Sequence, residues 1–151
     1  MSEPAAGWLS DEQQRVWRSY LLANTHINEY LEAALRDFSL SLAEYELMVR
    51  LSESPGHTVR MGELAASVGH SRSRLTHTVK RMESAGWIVR SSCDSDGRGV
   101  QASLTPEGFA LLQRAAPAHV DSVRRVFVDA IDPDDYAALG RAMAATLAVA
   151  D

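Results

Sequence analysis

Residues 63–90 read ELAASVGHSRSRLTHTVKRMESAGWIVR and contain two helical segments separated by a short turn. The first segment ends at Gly69, a residue that favours a helix C-terminus. The second segment begins at Ser71 or Ser73, both preferred N-cap residues, and repeats apolar residues at helical spacing up to Ala85-Gly86. The stretch therefore predicts two short helices joined by a tight turn that contains glycine.

Two strands follow the second helix. Residues 87–90 (WIVR) and 100–104 (VQASL) have strand composition, and the residues between them, DSDGRG at 94–99, favour a turn. Helix, turn, helix and hairpin in this order are the layout of a winged helix-turn-helix. In that layout the second helix enters the major groove of B-DNA, and the hairpin reaches the backbone or the neighbouring minor groove.

The side chains of the second helix suit DNA. Its first turns carry hydrogen-bond donors and positive charges, with no acidic residue before Glu83. We predict that DNA is contacted by Ser71, Arg72, Ser73, Arg74, Thr76, His77 and Lys80. The alternative interpretation is a basic helix face that only meets solvent.

The hairpin tip adds a second basic element. Arg98 lies between two glycines and is predicted to enter a narrow minor groove, and Asp96 is predicted to orient its guanidinium group. The alternative is an ordinary surface arginine.

Helices are predicted on both sides of this region. Ser10 with Gln13 and Ser41 with Glu44 form capping boxes, and Pro106 and Asp132-Pro133 mark two further helix starts. The first helix is expected to end near Phe38, and a short extended piece is expected from Thr58. The predicted fold is mainly α with a small β-hairpin wing, of the α+β class, in one domain over residues 1–151.

Composition limits the alternatives. The 151 residues carry a net charge of −5, but residues 57–101 hold seven basic and four acidic residues, so the rest carries −8. A basic middle between acidic ends indicates an anionic partner for the middle. Cys93, the one cysteine, permits no disulfide within the chain, and no apolar run is long enough to span a membrane. We expect a cytoplasmic protein.

The ordered motifs resemble those of the MarR family of bacterial transcriptional regulators. They are LAEYEL at 42–47, ELA at 63–65, SRSRLT at 71–76, RMESAGWIVR at 81–90, DGR at 96–98 and LTPEG at 104–108. The resemblance implies a homodimer formed through residues 10–38 and 105–150, with residues 42–104 as the DNA-binding region. It also implies a pseudo-palindromic operator, a repressor role and a small effector, often an aromatic acid or phenol.

An effector site is harder to predict than the DNA surface. The resemblance places an apolar pocket near Trp17, Tyr20, Tyr45, Met48 and Phe109, although core packing explains the same side chains. Asn24 falls within the apolar stripe of the first helix, where a buried amide needs a partner in a dimer or in a ligand.

Other function classes have less support. The sequence has no nucleotide-binding glycine loop, no nucleophile elbow and no metalloprotease helix, so we predict no enzyme, no cofactor and no metal. The prediction is a sequence-specific DNA-binding transcriptional regulator. Two alternatives stay open: a constitutive or architectural DNA-binding protein, and a redox-responsive regulator that uses Cys93.

Overall fold

The computed structural model of the protein describes residues 7–68, 71–92 and 99–150. Its helices are α1 (Asp11–Leu35), α2 (Leu42–Ser52), α3 (Met61–Val68), α4 (Arg72–Ser84), α5 (Pro106–Val123) and α6 (Pro133–Leu147). Its strands are β1 (Thr58–Arg60), β2 (Ile88–Ser92) and β3 (Val100–Leu104). This is the predicted fold class, mainly α with a small sheet in a winged helix-turn-helix.

The chain forms two compact units. The terminal unit comprises Met1–Leu31 and Val120–Asp151, and the central unit comprises Glu32–His119. The sequence predicted one domain, with residues 10–38 and 105–150 for dimer formation and residues 42–104 for DNA binding. The division into compact units does not test these functional regions, which stay a prediction.

Local capping signals predicted the helix starts correctly. The backbone N–H of Ser10 donates to Gln13 Oε1 at 2.9 Å, and the N–H of Gln13 donates to Ser10 Oγ at 3.2 Å. Ser41 and Glu44 form the same reciprocal pair at the start of α2. Asp132 caps α6 by accepting the N–H of Asp134 at 2.9 Å. Each box satisfies backbone donors that a helix start otherwise leaves without partners.

The structure shows in more detail how α1 and α5 end. After α1, one 3₁₀ turn (Arg36–Phe38) completes the segment that was predicted to reach Phe38, and Ser39 stops it with a left-handed φ of 56°. Pro117 lies inside α5, which continues through it to Val123. A wider π-type turn follows at Arg124–Val128.

The sheet has one strand more than the predicted hairpin. β2 and β3 pair antiparallel from Ile88 opposite Leu104 to Ser92 opposite Val100, which confirms the hairpin. The extended piece at Thr58 becomes β1 and pairs with the other edge of β3, so the strand order is β1-β3-β2. The hydroxyl groups of Thr58 and Ser103 lie 2.7 Å apart across the β1–β3 pair.

The central unit holds the hydrophobic core. Fully buried apolar residues come from the end of α1 and from α2, α3, α4, β2, β3 and α5, and they include Leu35, Leu47, Met48, Leu51, Leu64, Val79, Met82, Ile88, Ala102 and Ala115. The terminal unit differs, because Ser122 is the only buried residue among its described residues. Within the described residues, no helix combines the length and the apolar character that crossing a membrane requires.

The start of α5 is fixed against the turn between α4 and β2. The carbonyl oxygen of Trp87 accepts the N–H of Thr105 at 3.0 Å, and the Thr105 hydroxyl donates to the carbonyl of Gly86 at 2.7 Å. Gly108 sits one helical turn further on. A Cβ at this position would overlap the Trp87 carbonyl oxygen and would lie 2.8 Å from Leu104 Cδ1.

We therefore expect Gly108→Ala to lower the free energy of unfolding by about 1–3 kcal/mol or more, because backbone must move to admit the methyl group. Chemical denaturation followed by circular dichroism measures this change. Gly62→Ala is the matched control, since nothing lies within 4 Å of a Cβ there. It should leave stability unchanged or raise it by up to about 1 kcal/mol. Equal stability of the two variants would contradict the expectation.

Candidate nucleic-acid interface

One face of α4 collects the side chains predicted to contact DNA. Leu75, Val79 and Met82 recur at helical spacing and are buried, so the opposite side of α4 faces outward. This exposed side, which we call the recognition face, consists of Ser71, Arg72, Ser73, Arg74, Thr76, His77 and Lys80. The structure thus brings these seven residues together on one exposed surface, while their contact with DNA stays a prediction.

The start of α4 is suited to a phosphate group. Ser71 is the N-cap, and its hydroxyl accepts the backbone N–H of Arg74 at 3.3 Å. The first turn contains no acidic side chain. Unpaired N–H groups and the helix dipole favour an anion at such a terminus, and the arginines there add positive charge.

An ion pair holds α4 to α2. Glu44 is fully buried, and its carboxylate accepts a hydrogen bond from Arg81 Nε and forms an ion pair with Arg81 Nη2. The same carboxylate accepts the backbone N–H of Ser41 at 2.9 Å. Sequence reasoning predicted the bond to Ser41 and missed the one to Arg81, because 37 residues separate the two partners.

A second ion pair joins the end of α4 to the wing. Arg90 on β2 donates to Glu83 Oε2 from Nε at 3.0 Å and from Nη2 at 2.8 Å. These hydrogen bonds from Arg90 hold the pKa of the Glu83 carboxyl below its usual value, and the charges of Arg90 and Lys80 act in the same direction. The one acidic side chain of α4 is therefore engaged by the wing strand.

The predicted residues of the wing tip lie outside the described residues. Arg98, Asp96 and Cys93 all belong to this group. The strands on either side are described, and the last pair before the tip is Ser92 opposite Val100. The roles of Arg98 in the minor groove, of Asp96 in orienting it and of Cys93 in redox sensing stay predictions.

The residues predicted for an effector pocket divide between the two units. Trp17, Tyr20 and Asn24 are exposed on α1 in the terminal unit, where the rings of Trp17 and Tyr20 stack at a centroid distance of 5.7 Å. In the central unit, Tyr45 and Met48 belong to the core and Phe109 packs against it. Core packing accounts for the second group, and a shared pocket stays a prediction.

His119 is a polar group that sequence reasoning did not select. Its ring lies 4.2 Å from that of Tyr45, and its Nδ1 is buried with no hydrogen-bond partner among the described residues. Burial lowers the pKa of His119 and raises that of the Tyr45 hydroxyl. The only sequence signal was a histidine within an apolar helix pattern. The described residues contain no group of three or more potential metal ligands.

Comparison with known proteins places this geometry in a family. The model of the MarR family matches residues 40–100. The structure of Sco3205, a MarR family transcriptional regulator from Streptomyces coelicolor in complex with DNA, is 44% identical, covers 93% of this chain and 89% of that one, and superposes with a TM-score of 0.89. The chain belongs to the MarR family.

Two further relatives agree with this assignment. AbsC, another MarR family transcriptional regulator from Streptomyces coelicolor, is 43% identical, covers 90% of this chain and 92% of that one, and has a TM-score of 0.86. The transcriptional repressor Rv2887 of Mycobacterium tuberculosis is 34% identical over 85 residues, which are 56% of this chain. The chain spans 60–61% of the length of the first curated relatives that it matches.

The family assignment also bears on the enzyme class. MarR family members are transcriptional regulators that bind DNA and have no enzymatic activity. The assignment therefore supports the prediction that this chain is not an enzyme, and this support comes from the family and not from missing motifs.

The half-buried imidazole of His119 predicts a pH dependence of stability. Its pKa in the folded protein lies below the ordinary value of 6.5, so the unfolded chain takes up a proton that the folded chain resists. Stability should fall as the pH drops from 7 through 6.5, and the loss should end below the folded pKa. His119→Phe keeps an aromatic ring beside Tyr45 and removes the proton site, so we expect a shallower dependence in denaturant titrations over this range.

Leu112→Val is the control for this measurement. It removes a methylene group from a buried side chain of the same helix and leaves every titratable group in place. It should lower the whole stability curve without changing its shape. Parallel curves for the wild type and His119→Phe would show that His119 does not cause the pH dependence.

Proposed function

We propose that this protein is a sequence-specific DNA-binding transcriptional regulator that inserts α4 into the major groove of its operator. The observation that carries the proposal is the recognition face, which is exposed while the opposite side of α4 is fixed in the core. The relative Sco3205, which shares 44% of the aligned residues, was solved in complex with DNA. Such a regulator acts on genomic DNA, so we propose that it works in the cytoplasm.

The recognition face offers two kinds of contact. Arg74 and His77 occupy adjacent turns of one helix row, where side chains reach base edges, and the N-terminus at Ser71 favours phosphate. Arg98, oriented by Asp96, is the proposed minor-groove contact of the wing. Phosphate contacts position the protein, whereas base contacts supply the sequence preference.

The terminal unit is proposed to form a homodimer that matches a pseudo-palindromic operator. Its described residues bury no apolar side chain, and it exposes large apolar groups on α1, on α6 and on the residues beside them: Trp8, Val16, Trp17, Leu22, Leu147 and Val149. Helices with uncovered apolar faces are stabilised when a second copy covers them. Two copies of α4 would then read two half-sites.

A repressor role and control by a small ligand complete the proposal. The 34% identical relative Rv2887 is named a repressor. The buried Nδ1 of His119 beside Tyr45 offers a hydrogen bond to the carboxylate or phenol group of an aromatic ligand. Trp17, Tyr20, Asn24, Met48 and Phe109 are the other proposed contacts of such a ligand. The alternatives are DNA binding without a ligand, and redox control through Cys93.

Fluorescence anisotropy tests the function directly. Sites are first selected from a pool of random duplexes, and the selected duplex is then titrated against a scrambled one at two salt concentrations. We expect the selected duplex to bind at least about a thousandfold more tightly, with an affinity that falls as salt rises. Equal affinity for both duplexes would replace the proposal by an architectural role, and no affinity for either would reject DNA binding.

Arg74→Ala and Arg98→Ala should separate base reading from positioning. Loss of a base contact by Arg74 should weaken binding to the selected duplex by about 1–3 kcal/mol and scrambled DNA much less. Loss of Arg98 should weaken both duplexes more evenly and reduce the salt dependence. Arg114→Ala, an exposed arginine of α5, removes the same charge away from α4 and controls for net charge. Wild-type selectivity in Arg74→Ala would remove Arg74 from the base-reading set.

Leu22→Glu should dissociate the proposed dimer. Leu22 is 72% exposed in the single chain, so a charge there costs the fold of one chain little but opposes burial against a second copy. We expect the dimer dissociation constant to rise at least about tenfold in sedimentation equilibrium. Val89→Glu, at a 51% exposed position on β2, is the control and should leave the constant unchanged. Identical constants in all three proteins would mean that α1 is not the dimer surface.

A further inference from the structure

The carboxylate of Glu44 accepts hydrogen bonds from the start of α2 and from α4. At the start of α2 it accepts the N–H of Ser41, and from α4 it receives two nitrogen atoms of the Arg81 guanidinium group. The Glu44 side chain is fully buried, whereas that of Arg81 is 58% exposed. The buried end of this pair therefore contacts protein only, and the exposed end lies on the helix that carries the recognition face.

The capping role alone does not require a charge at residue 44. A glutamine completes a capping box as well as a glutamate, as Gln13 does at the start of α1. A buried carboxylate is costly unless it is paired, so a neutral side chain would be the simpler choice for a cap. The negative charge of Glu44 is instead required for the two-point contact with the Arg81 guanidinium group.

The part of α2 that holds Arg81 is itself anchored. Glu32, near the end of α1, accepts the backbone N–H of Leu42 at 2.7 Å. Ser41 and Glu44 satisfy the neighbouring donors of the same helix start. The N-terminus of α2 is thus held by side chains from two places in the chain and forms a rigid attachment point for α4.

Arg81 is placed so that this attachment controls the recognition face. It follows His77 by four residues and Arg74 by seven, so the three side chains lie along one row of α4. A contact through both Nε and Nη2 resists rotation of α4 about its axis, which a single contact does not. Such a rotation would displace Arg74 and His77 from the base edges that they are proposed to read.

We propose that Glu44 is a positioning residue for DNA recognition, which fixes the rotation of α4 through Arg81 and thereby sets base selectivity. This inference rests on the proposed function and adds to it a residue that cannot touch DNA. A purely structural role would lower stability and leave the selectivity of the folded protein unchanged, so selectivity is the quantity to measure.

The experiment compares Glu44→Gln with the wild type, using the selected and scrambled duplexes in fluorescence anisotropy. All proteins are measured at a temperature at which circular dichroism shows them to be folded. The ratio of the two affinities should fall about tenfold in Glu44→Gln, because one base contact is misplaced. Affinity for the scrambled duplex should change less than about twofold, because phosphate contacts tolerate such a shift.

Two further variants make the result decisive. Arg81→Lys keeps the positive charge at an exposed position but removes the two-point contact, and it should lower the selectivity ratio in the same way. It also decides the question by itself if Glu44→Gln does not fold. Ile88→Val removes a methyl group from a buried residue of β2 and serves as the destabilised control with unchanged selectivity.

The outcomes distinguish the inference from the function on which it rests. Reduced selectivity in Glu44→Gln and Arg81→Lys, but not in Ile88→Val, supports the inference. Wild-type selectivity in both variants overturns it and leaves the proposed function intact. An equal loss in Ile88→Val also overturns it, because selectivity would then follow stability. A wild type without any selectivity overturns the proposed function and the inference together.

Discussion

The ion pair between the fully buried Glu44 and the half-exposed Arg81 is the constraint on which the placement of α4 depends. Among the described residues, Glu44 is the one charged side chain that the protein buries completely. Removing Arg81 would leave the buried Glu44 carboxylate without a compensating charge, which is costly. Once Glu44 lies at the start of α2, α4 must therefore bring Arg81 to it. Leu75, Val79 and Met82 then fill the core behind α4, and the recognition face is left outside.

A second ion pair fixes the other end of α4 to the wing. Arg90 on β2 binds Glu83 in the last turn of α4, and the chain between them turns at Gly86, whose φ is 79°. The carbonyl oxygen of the next residue, Trp87, accepts the N–H of Thr105 at the start of α5, close to Gly108. The backbone of Trp87 thus links α4 to α5, because its N–H donates to the carbonyl of Met82 at 3.0 Å while its carbonyl oxygen accepts from Thr105. A conformational change in α5 would reach the wing and α4 through this junction, because a closely packed interior transmits displacement.

The two units differ in net charge and in exposed apolar surface. The terminal unit contains ten acidic and five basic residues, a net charge of −5, whereas the central unit is neutral with ten of each. The basic side chains on α4 are therefore offset elsewhere in the central unit, and the acidic excess lies in the unit with the uncovered apolar helices. Salt acts on the two proposed interfaces in opposite directions. It weakens phosphate contacts at α4 and screens the repulsion between two acidic terminal units, so dimer formation and DNA binding respond differently to ionic strength.

Local sequence patterns were sufficient to predict the helices and the hairpin strands. They were not sufficient to predict contacts between residues that are distant in the chain. The caps at Ser10, Ser41 and Asp132 were predictable, and that of α4 was narrowed to Ser71 or Ser73, because a helix start is satisfied by residues within three or four positions. The pairing of β1 with β3 and the ring contact between Tyr45 and His119 join residues more than forty positions apart, and no local pattern encodes them. Glu44 lies between these two cases. Its bond to Ser41 was predictable, yet that bond could be made equally by glutamine, so the charge exceeds what the local motif needs. A residue with more charge than its local role requires indicates a distant partner of opposite charge, and here that partner is Arg81 on α4.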